Sequence, residues 1–87
     1  MAESGPGNAP LEIAFPPDGA KIDLGSPFMA LKALGGIPPF TWLADGVPIA
    51  AQEQRRESLW ENPGRGFSRL SVIDASGATA TAMVRVE

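Results

Sequence analysis

Apolar and polar residues alternate in short segments along most of the chain, and turn residues separate the segments. Residues 28–34 show the pattern clearly, because Met29, Leu31 and Ala33 fall on one face of an extended strand. Lys32 falls on the opposite face, and an unpaired ammonium group is costly to bury. The pattern therefore predicts a strand over residues 28–34 with Met29, Leu31 and Ala33 directed into a core.

Similar segments recur before and after this one, and 10 glycines and 9 prolines punctuate them. Strands separated by turn signals about every 8–12 residues are typical of a β-sandwich or a barrel rather than of a helical protein. The other predicted strands cover residues 11–15, 20–24, 40–44, 47–49, 58–60, 67–74 and 78–86.

Two tight hairpins are predicted. Asp45 and Gly46 form the pair most typical of a type I′ turn, in which both central residues need a positive φ. Residues 74–77 place Asp at the first turn position and Gly at a position that tolerates the left-handed conformation. Trp42 lies in the middle of the strand before the first hairpin, and Pro48 marks the return strand as a sheet edge.

Residues 50–57 (AAQEQRRE) are the only stretch with helical character. Eight residues are marginal as a helix without packing against a core. We therefore interpret this segment as a loop or as the lead-in to a strand, in preference to a helical turn.

With 87 residues, the chain has room for one domain. Residues 1–10 are small, polar and rich in Gly and Pro, so we expect a disordered linker or a cloning remnant there. Residues 11–87 are expected to form an all-β, immunoglobulin-like β-sandwich of two sheets and about seven short strands. Because the chain has no cysteine, Trp42 would fill the middle of this core without the immunoglobulin disulfide.

Charge and composition exclude several classes of function. The net charge is −3, and of the seven basic residues only Arg55 and Arg56 are adjacent, which argues against nucleic acid or an anionic membrane as a partner. No apolar run approaches the ~20 residues of a membrane helix. The N-terminus lacks the features of a signal peptide, so any exporting segment would lie upstream.

No motif for catalysis is present. The chain has no histidine and lacks a phosphate-binding glycine loop, a G-x-S-x-G elbow, and the S-x-x-K and K-T-G motifs of penicillin-recognising enzymes. Asp18, Asp45 and Asp74 could form a calcium or carboxylate cluster, but each lies in a turn near a glycine and has a local role there. We therefore expect no enzymatic activity of this fragment, no cofactor and no metal.

An interaction patch is predicted in the least regular part of the chain, and it contains two aromatic residues and three arginines. Trp and Arg are enriched at binding hot spots, and the parity of Phe67 directs it away from the predicted core. The alternative is that Trp60 closes the core and that the arginines are merely solvated. The predicted patch consists of Arg55, Arg56, Trp60, Arg65 and Phe67.

Three motifs in order resemble a known family. They are I-x-F-P-P-D-G-A-K-I, then L-K-A-L-G-G-x-P-P-F-T-W-L-x-D-G, then G-x-x-x-L-S-V-I-D-A-S-G-A-T-A-T-A-M-V-R-V. Together they span residues 11–86 and are similar to the penicillin-binding protein C-terminus family, the domain that ends bifunctional class A penicillin-binding proteins of the 1C type.

The resemblance implies a non-catalytic accessory domain of a parent protein anchored in the inner membrane of a Gram-negative bacterium. That parent would carry peptidoglycan glycosyltransferase and transpeptidase domains upstream and would act in the periplasm. The fragment itself is expected to be monomeric, to make no membrane contact and to recruit a periplasmic protein partner. The alternatives are a module that binds glycan or peptidoglycan, and an Ig-like spacer of another secreted protein.

Overall fold

Eight β-strands make up the part of the chain that the computed structural model describes, residues 10–87. The expectation of an all-β sandwich of two sheets is confirmed, and each of the eight strands overlaps one of the eight predicted segments. Residues 1–9 of the predicted linker lie outside the described residues. The strands are β1 (Glu12–Phe15), β2 (Ala20–Ile22), β3 (Phe28–Leu34), β4 (Phe40–Ala44), β5 (Val47–Glu53), β6 (Glu57–Glu61), β7 (Gly66–Ile73) and β8 (Thr79–Val86).

The strands form two sheets. A three-stranded sheet has the order β1-β3-β6, and a five-stranded sheet has the order β2-β8-β7-β4-β5. The pairing of β2 with β8 is parallel and the other pairings are antiparallel. Consequently β1 and β6 are the edges of the smaller sheet, and β2 and β5 are the edges of the larger one.

The core lies between the two sheets and is built by strict alternation along the strands. β3 directs Met29, Leu31 and Ala33 inward, as predicted, and Lys32 outward. Facing them, the larger sheet contributes Phe40, Trp42, Leu70, Val72 and Val84, and all of these side chains are buried.

The segment with helical composition is largely a strand. β5 extends from Val47 to Glu53, four residues beyond the predicted return strand, and β6 begins at Glu57. β5 pairs with β4 as far as Glu53, with Ala50 opposite Trp42 and Glu53 opposite Phe40, and such tertiary pairing overrides a weak local helix propensity. The preference for a loop or strand lead-in over a helix was therefore correct, although the predicted strand was too short.

Two of the three turn aspartates bond to a neighbouring strand rather than to their own turn. Asp18 accepts a hydrogen bond from the amide of Met83 at 2.8 Å, and Asp45 accepts one from the amide of Arg69 at 3.0 Å. Asp45 and Gly46 have φ values of 51° and 83°, as the predicted type I′ turn requires.

Asp74 joins two connections at one end of the sandwich. One carboxylate oxygen accepts hydrogen bonds from the amide and the hydroxyl of Ser76 and from the amide of Ala78, at 2.9, 2.7 and 2.9 Å. The other oxygen accepts a bond from the amide of Ile37, 3.0 Å away in the β3–β4 connection. Asp74 therefore holds the β7–β8 hairpin and links it to a loop that is 37 residues distant in sequence.

These bonds predict a response to acid. The Ser76 hydroxyl bond, followed by the backbone bonds, lowers the pKa of Asp74 below its ordinary value of 3.8 despite partial desolvation. A lowered pKa in the folded state stabilises the fold above pH 3.8, and this contribution is lost as the pH falls through the folded-state value. Ser76→Ala should therefore raise the pKa of Asp74 and shift acid unfolding to higher pH.

Acid titration followed by circular dichroism, with NMR of the Asp74 carboxyl carbon, would measure both effects. Ser26→Ala is a suitable control, because Ser26 bonds to Asp23 and Asn62 through its backbone. An equal shift in both variants would show that the Ser76 hydroxyl has no special effect on Asp74.

Candidate functional site

The solvent-facing side of the three-stranded sheet carries large apolar side chains. Alternation along β3 places Phe28, Ala30 and Lys32 on this side. The register then sets Leu59 of β6 opposite Ala30 and Phe15 of β1 opposite Lys32. We refer to the surface formed by Phe15, Phe28, Ala30, Lys32 and Leu59 as the outer face.

The apolar side chains of the outer face are well exposed. Leu59 is 67%, Phe28 58% and Phe15 47% exposed. Single exposed apolar residues are common on protein surfaces, but a group of them on one sheet face indicates an interaction site. Three such side chains in so small a domain therefore make the outer face the candidate functional site.

A hollow of about 620 Å³ opens at the centre of the outer face. The short side chain of Ala30 lies between Phe15 and Leu59, and all three line the hollow. Charged groups complete its wall, and Nζ of Lys32 lies 4.0 Å from Oε2 of Glu57. The remaining lining residues are Glu53, Arg55 and Ser58.

A second hollow, of about 430 Å³, lies at the other end of β6. It is lined by Phe28, Leu59 and Trp60, together with Ile49 from β5 and the residues that end β6. Leu59 contributes to both hollows. β6 thus runs between two surface depressions, each with an apolar wall and at least one glutamate.

Two residues of the predicted patch have structural roles. Trp60 is only 4% exposed and belongs to the core cluster, so the alternative in which it closes the core is the correct one. Arg56 donates hydrogen bonds to the carbonyl oxygens of Gly35 and Gly36, and its guanidinium lies 5.2 Å from the centroid of the Phe40 ring. It thereby fixes the β3–β4 connection.

The other three residues of the predicted patch do not share one surface. Arg55 lines the hollow of the outer face. Phe67 is 69% exposed on the five-stranded sheet, where the guanidinium of Arg85 lies 5.6 Å from its ring centroid. Arg65 is exposed in the connection between β6 and β7. The structure therefore distributes the predicted patch over the core, a loop and both sheets.

The large apolar site residues that sequence reasoning missed are Phe15, Phe28 and Leu59. For Leu59 a signal was available, since Leu59 and Trp60 are adjacent in a predicted strand. Neighbouring strand residues point to opposite faces, so one of two adjacent large apolar residues must face outward. Phe28 and Met29 form a second pair of this kind.

The outer face has the features of a surface that binds another molecule. Its apolar centre and charged rim resemble the organisation of protein–protein interfaces. Within residues 10–87 there is no group of three or more His, Cys, Asp or Glu side chains placed to hold a metal ion. The described part of the chain also contains no helix with the length and hydropathy needed to cross a membrane.

Comparisons with known proteins agree with the fold and identify a family. The sequence matches the Penicillin-Binding Protein C-terminus Family over residues 1–86. Among solved structures, a fibronectin(III)-like module of Clostridium thermocellum CbhA is similar, with a TM-score of 0.68 and 20% sequence identity, covering 88% of this chain and 95% of that chain. At this identity the likeness bears on the fold alone. No curated protein matches the sequence.

Proposed function

Because the chain belongs to the Penicillin-Binding Protein C-terminus Family, we propose that it is a non-catalytic accessory domain of a bifunctional peptidoglycan synthase and recruits a protein partner in the periplasm. The family makes it an accessory domain of a penicillin-binding protein of the cell envelope. The activities of the parent, the location in the periplasm and the partner are parts of the proposal.

The observation that carries the proposal is the apolar outer face. Phe15, Phe28 and Leu59 expose about half or more of their surface to solvent. The inward-facing residues of β3, by contrast, are almost completely buried. Leaving apolar area in water forgoes about 25 cal/mol per Å² of stabilisation. A partner that covers this face would recover that free energy on binding.

The composition of the rim favours a protein as the partner. Lys32, Arg55 and Glu57 surround the apolar centre with charges of both signs. Charged groups at a rim set orientation and specificity, while the apolar centre supplies most of the affinity. A folded protein surface can complement both, which a repetitive glycan does less well.

Site-specific photo-crosslinking in the parent synthase tests this proposal. A photoreactive phenylalanine analogue at Leu59 should give one protein adduct of defined mass in cells. The same analogue at Thr79, exposed at the start of β8 in the other sheet, is the matched control and should give no adduct.

Enzymatic digestion distinguishes the outcomes. An adduct at Leu59 that is destroyed by protease and survives muramidase supports recruitment of a protein. An adduct that is released by muramidase would contradict the proposal and favour a peptidoglycan-binding module. Absence of any adduct at Leu59, Phe28 and Phe15 would also count against it.

One observation favours glycan binding as a second candidate function. Phe67 presents an exposed ring on the five-stranded sheet beside Met83 and Arg69, and an exposed aromatic ring can stack on a sugar. Arg85 already covers part of this ring, so we rank this function second. NMR titration with muropeptides should shift the amide signal of Phe67 if it is correct.

A further inference from the structure

We propose that the free edge of β6 pairs with an extended segment of the partner protein, in which an apolar residue is flanked at alternate positions by Lys or Arg. This inference rests on the proposed function, because it specifies how the partner is held. It adds main-chain hydrogen bonding along one strand to the apolar contact of the outer face.

The direction of the β6 backbone groups follows from two hydrogen bonds. The amide of Ala33 donates to the carbonyl oxygen of Arg56 at 2.8 Å, and the amide of Asn62 donates to the carbonyl oxygen of Pro27 at 3.0 Å. Alternate residues of an antiparallel strand direct their N–H and C=O groups to the same side. Since residues 56 and 62 face β3, residues 58 and 60 do so as well.

The intervening residues must then direct their backbone groups away from β3. These are Glu57, Leu59 and Glu61, and β6 pairs with no strand on that side in the described part of the chain. Three amide donors and three carbonyl acceptors are therefore available along one edge. Such an edge can accept an additional strand, a common mode of peptide recognition.

The remaining sheet edges are less suited to pairing. β5 contains Pro48, a positive φ of 57° at Gln52 and shifts in its register with β4. β1 has a register shift between Ile13 and Phe15, and β2 contains only three residues. Prolines, bulges and short length are known devices for blocking an edge. The register of β3 with β6, by contrast, contains no shift.

The side chains along the edge specify the occupant. Glu57, Leu59 and Glu61 lie on the solvent-facing side of the sheet, with an apolar residue between two carboxylates. Opposite charges at directly facing positions stabilise a strand pair, and like charges destabilise it. An added strand with the pattern basic, apolar, basic would match all three positions at once.

The same pattern disfavours a second copy of this chain. Antiparallel pairing of β6 with itself about Leu59 would set Glu57 of one copy opposite Glu61 of the other. Both contacts would then join two carboxylates. A basic segment of another protein avoids this repulsion and can insert its side chains into the hollows at the two ends of β6.

Amide hydrogen exchange with a synthetic peptide tests the inference on the isolated chain. The probe is acetyl-Thr-Lys-Thr-Val-Thr-Lys-Thr-amide, and the control replaces both lysines with glutamates. At a peptide concentration of ten times the Kd, exchange at the amides of Glu57, Leu59 and Glu61 should slow by about tenfold. The amides of Ser58 and Trp60, which face β3, should be protected with or without peptide.

Two variants sharpen the test. Glu57→Lys combined with Glu61→Lys should transfer binding from the lysine peptide to the glutamate peptide. Leu59→Pro removes an outward N–H without removing a bond to β3, so it should abolish protection by the lysine peptide. If Leu59→Pro fails to fold, a lysine peptide that is N-methylated along its backbone supplies the same test on the unchanged protein.

Several results would overturn the inference. They are equal binding of both peptides, protection confined to β5 or β2, no exchange of preference in the charge-reversed variant, and binding of the N-methylated peptide. Protection of the same amides at high protein concentration without peptide would assign the edge to a second copy instead. None of these results alters the photo-adduct at Leu59, so the proposed function can stand where this inference fails.

Discussion

Replacing Trp42 with alanine is expected to lower the free energy of unfolding by about 3–5 kcal/mol. Trp42 is fully buried at the centre of β4, next to Val72 of β7 and Ala50 of β5. It is the largest of the fully buried side chains. Because the free energy of unfolding of a native protein is only about 5–15 kcal/mol, this substitution would remove a large part of the stability.

Trp42→Phe is the matched control for this substitution. The indole N–H of Trp42 is buried and has no hydrogen-bond partner among the described residues, and an unpaired buried donor is itself costly. Phenylalanine removes that donor while it keeps most of the apolar volume, so its cost should be much smaller. Urea unfolding followed by circular dichroism measures both, and an alanine variant of unchanged stability would show that Trp42 is not the centre of the core.

Replacing Gly36 with alanine is expected to cost about 1–3 kcal/mol and to loosen the link at Asp74. Gly36 has a φ of +66°, and an added Cβ would lie 2.8 Å from Cδ1 of Leu11 and 2.9 Å from Oδ2 of Asp74. The Leu11 side chain can move aside. The Asp74 carboxylate is held by four hydrogen bonds and can move only by lengthening them.

Gly46→Ala is the matched control, because it introduces backbone strain without a close contact to another residue. Gly46 also has a positive φ, +83°, but an added Cβ would meet nothing within 4 Å. Thermal unfolding should show a larger decrease in melting temperature for Gly36→Ala than for Gly46→Ala. The amide signals of Ile37 and Ser76 should shift only in the Gly36 variant. Equal losses would mean that the Asp74 link tolerates displacement.

Local sequence patterns predicted the structure correctly where a single residue or turn motif determined the position of a strand or hairpin. Lys32 fixed the parity of β3, whose bounds agree with the prediction, and Asp45-Gly46 located the first hairpin. The length of β5 could not be predicted locally, because residues 50–53 have helical composition and are part of the strand only through pairing with β4. The parallel pairing of β2 with β8 likewise depends on strand order, which no short segment encodes.

The candidate site was less accessible to sequence reasoning than the fold. Whether Trp60 or Leu59 faces inward depends on the register between β3 and β6. Arg56 looked like a surface residue because its acceptors, the carbonyl groups of Gly35 and Gly36, lie about 20 residues away. The open edge of β6 follows only from the order of strands in the sheet.

The proposed recruitment of a protein partner through the outer face is tested most directly by competition in the periplasm, its proposed location. The isolated chain, exported in excess, should abolish the photo-adduct formed at Leu59 of the proposed parent synthase. The chain with Phe28→Ser and Leu59→Ser should not compete, and the chain with Phe67→Ser should compete as well as the unchanged chain. Equal competition by the Phe28→Ser and Leu59→Ser chain, or none by the unchanged chain, would contradict recruitment through this face.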